Sequence, residues 1–271
     1  MKESAPHSFV VDDIHLAYDG REVVGGLDLE IESGAITVIV GPNACGKSTL
    51  LKSLARLLVP TSGTVELDGR DIRSIQTKAL ARSIGLLPQQ PIAPEGITVG
   101  DLVARGRYPH QGWLSRSTSA DDEIVGAALA DTSSLEFVDR RVEELSGGQR
   151  QRVWIAMALA QQPDILLLDE PTTFLDVAHQ VEVLDLLMDL NRRKGTTIVM
   201  VLHDLNLAAR YADTLVVMNG GAIVASGDPS DVISEETVLD AFGLECRVIP
   251  DPVSGSPMVV PLGRFHNLRG N

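Results

Sequence analysis

Apolar residues recur through 9–16 and 23–31, and in the second run Leu27, Leu29 and Ile31 alternate with polar residues, the period of two expected of a β-strand, so both runs read as strands. Turn signals at Asp19-Gly20 and Ser33-Gly34 separate these runs from a third, 36–40, that is apolar throughout. A helical run over 50–58 follows, then strands over 63–67 and 84–87, the first ended by the turn Asp68-Gly69 and the second by Pro88. From 89 to about 161 strand signals fade and helical spacing appears at 99–105, 120–130 and 148–160, which predicts a helical insert. Beyond it, strands at 165–168, 197–202 and 214–218 alternate with helices at 179–193 and 205–211, the pattern of parallel strands with covering helices. The expectation is a single α/β domain over 8–250, with a core of 8–88 and 162–250 and the insert at 89–161. Residues 236–271 hold a short helix and two strands, and 251–271 read as a short tail.

Composition changes this picture little. The 271 residues are 44% hydrophobic and 22% charged, ordinary for a soluble globular chain able to bury a core. No apolar run approaches the length needed to span a bilayer, and residues 1–8 lack the basic start and apolar centre of a signal peptide, which predicts a cytoplasmic chain. Cys45 and Cys246 make no metal-ligand spacing and read as free thiols. A net charge of −14 argues against a general nucleic-acid or anionic-membrane surface, because such binding needs Lys and Arg to neutralise phosphates.

The candidate chemistry lies at strand ends. Between the apolar run 36–40 and the helical run 50–58 stands Gly41-Pro42-Asn43-Ala44-Cys45-Gly46-Lys47-Ser48-Thr49, which has the form of a P-loop. Gly41 and Gly46 let the chain fold back so that backbone N–H groups converge, and the following helix adds its positive end. Lys47 is expected to reach the β and γ phosphates of a nucleotide, and Ser48 to ligate Mg²⁺. The apolar run 165–168 ends in Asp169 and Glu170: Asp169 is placed to hold Mg²⁺ through water, and Glu170 to orient or deprotonate an attacking water. Leu145-Ser146-Gly147-Gly148-Gln149 opens the helix at 148–160, and read alone it is either a second anion site or a flexible helix start. His203 follows the strand 197–202 and, given Glu170, is assigned a γ-phosphate contact. The segment 106–119, with Arg107, Tyr108, His110 and Trp113, is a loop that is either simply exposed or a contact surface.

Taken together, these residues resemble the nucleotide-binding subunit of an ATP-binding cassette (ABC) transporter. Residues 41–49 match the Walker A motif, 165–170 the Walker B motif and 145–149 the family signature; Gln89 matches the Q-loop, Leu175-Asp176 the D-loop, His203 the switch histidine, and Tyr18 the ring that stacks on adenine. The resemblance implies a P-loop NTPase fold of ABC type: a mixed sheet core, an antiparallel β subdomain and a helical subdomain. It also implies ATP and Mg²⁺ as ligands, with Ser48, Gln89 and Asp169 toward the metal, Glu170, His203, Gln89 and Lys47 in catalysis, and a head-to-tail homodimer. In that dimer Ser146, Gly147, Gly148 and Gln149 of one copy close on the ATP held by the P-loop of the other. The partners implied are membrane permeases and, indirectly, an extracytoplasmic substrate-binding protein, with the chain peripheral on the cytoplasmic face and Arg107, Tyr108 and His110 against the permease. The segments 106–111, 169–180 and 203–208 are similar to the ATPases of ferric-siderophore, haem and vitamin B12 importers, most of all the iron(III)-siderophore group. A haem or cobalamin importer is the alternative, and a non-transport ABC ATPase a weaker one. Ala44 and Phe174 depart from the family pattern.

Overall fold

The computed structural model describes residues 8–112 and 118–263, so Trp113 of the expected contact loop lies outside the described residues. The chain forms two compact units: a split unit of residues 8–71 with the chain from 199 onward, and a central unit of 72–198. The expected insert, 89–161, falls within the central unit, which also takes in the strands and helices that flank it.

The split unit opens with β1 (Phe9–Tyr18) and β2 (Arg21–Ile31), paired antiparallel with Val11 opposite Leu29 and Leu16 opposite Val24. Phe9, Val11, Ile14, Leu16, Val24, Leu27, Leu29 and Ile31 are buried; the inward set is displaced by one residue between Val11 and Ile14, where the pairing shifts register and Asp13 is left-handed (φ 43°), and again between Val24 and Leu27. Next come β3 (Ile36–Val40) and α1 (Lys47–Leu54). The helix stops short of residue 58 because Arg56 takes a left-handed conformation (φ 55°). β4 (Ser62–Leu67) and the two-residue β5 (Arg70–Asp71) complete an antiparallel sheet of order β2-β1-β4-β5.

The central unit contains α2 (Thr77–Ser83), β6 (Ile84–Leu87), α3 (Val99–Ala104), α4 (Ser119–Asp131), α5 (Gly147–Ala160), β7 (Ile165–Asp169) and α6 (Val177–Lys194). Between β6 and β7 the described residues are helix and loop, apart from one bridge between Thr98 and Arg141. β6 and β7 are parallel, from Ile84 opposite Ile165 to Leu87 opposite Leu168. All five residues of β7 are buried, and each large apolar side chain withdrawn from water stabilises by roughly 1.5–3 kcal/mol.

β8 (Thr197–Val201) is divided in this partition, Thr197 and Ile198 falling in the central unit and 199–201 in the split unit, where β10, β9 and β3 follow one another in the sheet order β10-β9-β3. The split unit resumes with α7 (Leu205–Tyr211), β9 (Thr214–Asn219), β10 (Ala222–Gly227), α8 (Pro229–Val232), α9 (Glu235–Phe242), β11 (Cys246–Pro250) and β12 (Pro257–Pro261). β9 lies parallel to β3 and antiparallel to β10. β11 and β12 pair as a hairpin across residues 250–257, so the chain after 250, expected as a tail, folds back. Asn206 of α7 holds the main chain of Val259 (2.7 and 3.3 Å), and Arg210 pairs with the buried Asp251. Both cysteines are free and buried, and burial pushes the Cys246 thiol up.

The segment after α3 departs from expectation. Arg107 is buried, with Nε on Asp121 Oδ1 (2.8 Å) and Nη1 donating to Ala160 O (2.8 Å) and Gln162 Oε1 (3.1 Å). It ties α4 to the end of α5 and is not available as a contact residue. Half-buried His110 is engaged by Gln161 O (2.8 Å), so of the three residues assigned to the permease only Tyr108, 61% exposed, presents a surface. Asp121 also accepts from Thr118 in a capping box at the start of α4. The Arg107 guanidinium, with the Thr118 backbone N–H, holds the Asp121 carboxyl down at about 2. Arg107→Ala is expected to lower the thermal midpoint by roughly 5 °C or more. Because the folded-state pKa lies below the unfolded 3.8, the stabilisation is complete above that value and is lost as pH falls toward 2. Melting curves of wild type and variant should therefore converge over that range; a constant gap would exclude the ionised pair as the cause.

Candidate functional site

In the split unit, β3 delivers the chain into the loop 41–46 and α1 receives it. A Cβ on Gly41 would lie 2.2 Å from Met218 O, and one on Gly46, the N-cap of α1 at φ 107°, would lie 2.8 Å from Val24 Cγ2. Both positions therefore need glycine, the first for close approach and the second also for backbone conformation. Gly46 offers no side-chain acceptor to the first-turn N–H groups, which suits a helix end that receives an anion. Pro42 is half-buried, Asn43 and Ala44 are exposed, and Cys45 is buried with its carbonyl accepting from Gly221 N–H (3.1 Å). Buried Lys47 donates from Nζ to Gly41 O (2.8 Å) and Pro42 O (2.7 Å), which holds the ammonium within the loop's mouth. Ser48 is half-buried and Thr49 buried in the first turn of α1. Backbone donors, a helix N-terminus and a buried cation together fit a polyphosphate.

Ala44 sits at φ 63°, a left-handed conformation that costs a non-glycine residue roughly 1–2 kcal/mol, so the departure from glycine noted in the sequence carries a conformational cost. His203 lies in the same unit. The Leu202 N–H bonds to Ile39 O (3.1 Å), so exposed His203 begins beyond β8 at the level where β3 enters the loop. Asp204 then caps α7 by accepting from the N–H groups of Asn206 (2.8 Å) and Leu207 (2.9 Å). Tyr18, 41% exposed, ends β1 in this unit as well.

The central unit gathers the acidic residues. Asp169 ends β7 and is 5% exposed; Glu170 follows at 9% exposure in a left-handed conformation (φ 54°). Gln89 Nε2 donates to Glu170 Oε2 (2.6 Å), and Thr173 Oγ1 donates to the same oxygen (2.9 Å). Two donors on one oxygen orient the carboxyl group, as a base acting on a positioned water requires. The structure places Gln89 on Glu170, both candidates from the motif reading, and adds Thr173. Its place three residues after Glu170, across a tight turn, is the signal that could have exposed it. Among the described residues no group of three His, Cys, Asp or Glu could hold a metal ion.

Also in the central unit, exposed Ser146 is the N-cap of α5 and accepts from Gln149 N–H (3.3 Å), while Gln149 Oε1 accepts from Ser146 N–H (3.0 Å). This closed capping box gives Gln149 a local task. Gly147 is exposed and Gly148 buried. Phe174, at φ 65° and 86% exposed, precedes Leu175 and Asp176, and Asp176 caps α6.

The family described as ABC transporter matches residues 24–173. The petrobactin import ATP-binding protein FpuD of Bacillus anthracis is 54% identical over 254 residues, covering 94% of this chain and 93% of its own. Among solved structures, a metal-chelate-type ABC transporter in an inward-facing conformation aligns with a TM-score of 0.83 at 30% identity, covering 96% of this chain and 98% of its own. The dimeric bacterial ABC transporter cassette MJ0796 aligns with a TM-score of 0.73 at 28% identity, over 81% of this chain and 98% of its own. Matched over more than half its length by the family and over nearly all of it by an import ATPase, the chain belongs to the ABC transporter family as an ATP-hydrolysing component.

Proposed function

We propose that the chain energises import of an iron(III)-siderophore-type metal chelate, working as a homodimer on the cytoplasmic face of the membrane against separate permease subunits. The observation that carries the hydrolytic part is the Glu170 carboxyl group, anchored by Gln89 and Thr173 at the end of buried β7. Lys47 and the N–H groups of the loop hold the β and γ phosphates of ATP, and Tyr18 stacks on the adenine. Ser48, Gln89 and Asp169 would hold Mg²⁺, which would supply neutralisation of phosphate charge. Glu170 orients a water and accepts its proton as the water oxygen bonds to the γ phosphorus and ADP departs. His203 contacts the γ phosphate. Ser146, Gly147, Gly148 and Gln149 of the second copy complete the site, so ATP binding closes the dimer and hydrolysis reopens it.

Several observations support the transport reading. FpuD is named for petrobactin import and the aligned transporter for metal chelates, and the segments 106–111, 169–180 and 203–208 are similar to siderophore-importer ATPases. Among the described residues no helix is long and apolar enough to cross a membrane, in keeping with a peripheral subunit. Within the central unit Tyr108 borders a groove of about 380 Å³ lined by Ile97, Asp101, Ala104, Arg105 and Gln111, a surface suited to a docking segment of the permease. The cargo itself is selected by the permease and an extracytoplasmic binding protein.

Glu170→Gln should bind ATP with unchanged affinity, hydrolyse it at least about 100-fold more slowly and accumulate as an ATP-dependent dimer on size exclusion. Wild-type turnover in that variant would remove Glu170 from its role. Thr173→Val, which deletes one donor to Oε2, should lower kcat several-fold with ATP affinity intact in equilibrium binding; a change confined to affinity contradicts the orienting role. Tyr108→Ala should reduce uptake of a ferric chelate by the assembled transporter and leave the ATPase rate of the isolated chain unaltered, and full uptake would place the permease elsewhere.

A further inference from the structure

Gly148, in the first turn of α5, lies against His179 in the first turn of α6. A Cβ built on Gly148 would lie 2.5 Å from His179 Cδ2, 3.0 Å from Cγ and 3.3 Å from Nε2. Gly148 has an ordinary helical place in α5, so its own backbone would admit any side chain. The ring of His179 is what excludes one. The ring is in turn fixed: Asp176 Oδ1 accepts from the His179 backbone N–H (3.0 Å) and from Nδ1–H (2.7 Å). With Nδ1 engaged by Asp176, the opposite Cδ2–Nε2 edge lies against Gly148.

The two hydrogen bonds have different consequences. The backbone bond caps α6 and needs no imidazole. The ring bond does nothing for the helix end; its effect is to hold the imidazole on the start of α5. Backbone donation from the His179 N–H, then from its ring, lowers the Asp176 carboxyl below its ordinary value, so the anchor is a carboxylate at neutral pH. On the other side, the Ser146–Gln149 capping box fixes the shape of the first turn of α5 but not its position. Phe174 O and Leu175 Cδ2 lie 3.8 Å from the corresponding point on Gly147, so the turn before α6 borders the same stretch.

We propose that His179 is a positioning residue for the segment 145–149: oriented by Asp176, its ring sets where the first-turn N–H groups of α5 point and transmits displacement of the 174–176 turn to them. The proposal rests on the reading of Ser146 and Gly148 as γ-phosphate contacts. Donation to an anion depends steeply on direction, and misplacement by about 1 Å can cost as much as 100-fold in rate.

The test uses the full chain. His179→Ala should melt within a few degrees of wild type, because Asp176 still caps α6, and should bind ADP with unchanged affinity, because the loop 41–49 is untouched. Its kcat should fall about tenfold, and the ATP-dependent dimer formed in the Glu170→Gln background should weaken in parallel. His179→Asn, whose amide can donate to Asp176, should recover most of the loss. Gly148→Ala should be inactive alone and should regain the activity of His179→Ala when the two are combined, since removing the ring makes room for the methyl group. Wild-type kcat in His179→Ala, or a double variant no better than Gly148→Ala, overturns the proposal. Ser146→Ala separates the two levels: lost dimerisation there with intact dimerisation in His179→Ala rejects the positioning role alone, whereas intact dimerisation in both rejects the γ-phosphate reading beneath it.

Discussion

Strands β3, β7 and β8 are buried at every residue, and that one constraint governs where this protein can place chemistry. A strand without a water-facing side has no position for a charged group along its length, since an unpaired charge there would cost several kcal/mol. Polar function is displaced to the carboxyl ends, where the chain leaves the sheet. β3 ends in the loop that holds Lys47, β7 ends in Asp169 and Glu170, and β8 ends just before His203. The three groups are consequences of one packing rule.

Leaving a buried strand abruptly demands unusual backbone. Ala44, Glu170 and Phe174 all adopt left-handed conformations, each within or beside a motif of the sequence reading, and none is glycine. Roughly 1–2 kcal/mol of strain at each is sustained because neighbours hold the turn: Cys45 O receives Gly221 N–H, and the Glu170 carboxylate is gripped by Gln89 and Thr173. At Glu170 the left-handed residue stands directly after Asp169, the last residue of β7, where the chain leaves the strand. A set conformation also means little reorganisation when the reaction begins.

The helical part of the central unit is organised differently. Its helices carry their own caps, Thr118 with Asp121 and Ser146 with Gln149, and are joined by polar bonds from buried Arg107. Arg107 explains why the segment after α3 misled the sequence reading. Arginine beside tyrosine and histidine in a loop looks like a contact surface, but its burial depends on α4 and α5 arriving with an acceptor each, which local pattern does not report. Gly148 is a parallel case. Its place in a glycine-rich motif suggests close approach of a ligand, while the neighbour that forbids a side chain is His179, thirty-one residues away in the chain.

Local pattern was sufficient wherever a residue's role follows from its immediate neighbours. The strand runs of β1 and β2, the glycines and lysine of 41–49, the carboxylates ending β7 and the start of α5 at Ser146 all express short-range physics, and each was legible in order along the chain. Short elements with little period, β5, α2, β10 and α8, were not, because they exist through partners such as β4 and β9. The grip of Gln89 on Glu170 across 81 residues became visible as a hydrogen bond only in three dimensions, as did that of Asn206 on Val259 across 53 and the burial of Arg107. Sequence determined which chemical groups this protein carries and at which strand and helix ends they stand. Tertiary structure alone decided which distant side chains orient them, because hydrogen bonding and steric exclusion act over ångströms of space, whatever the separation along the chain.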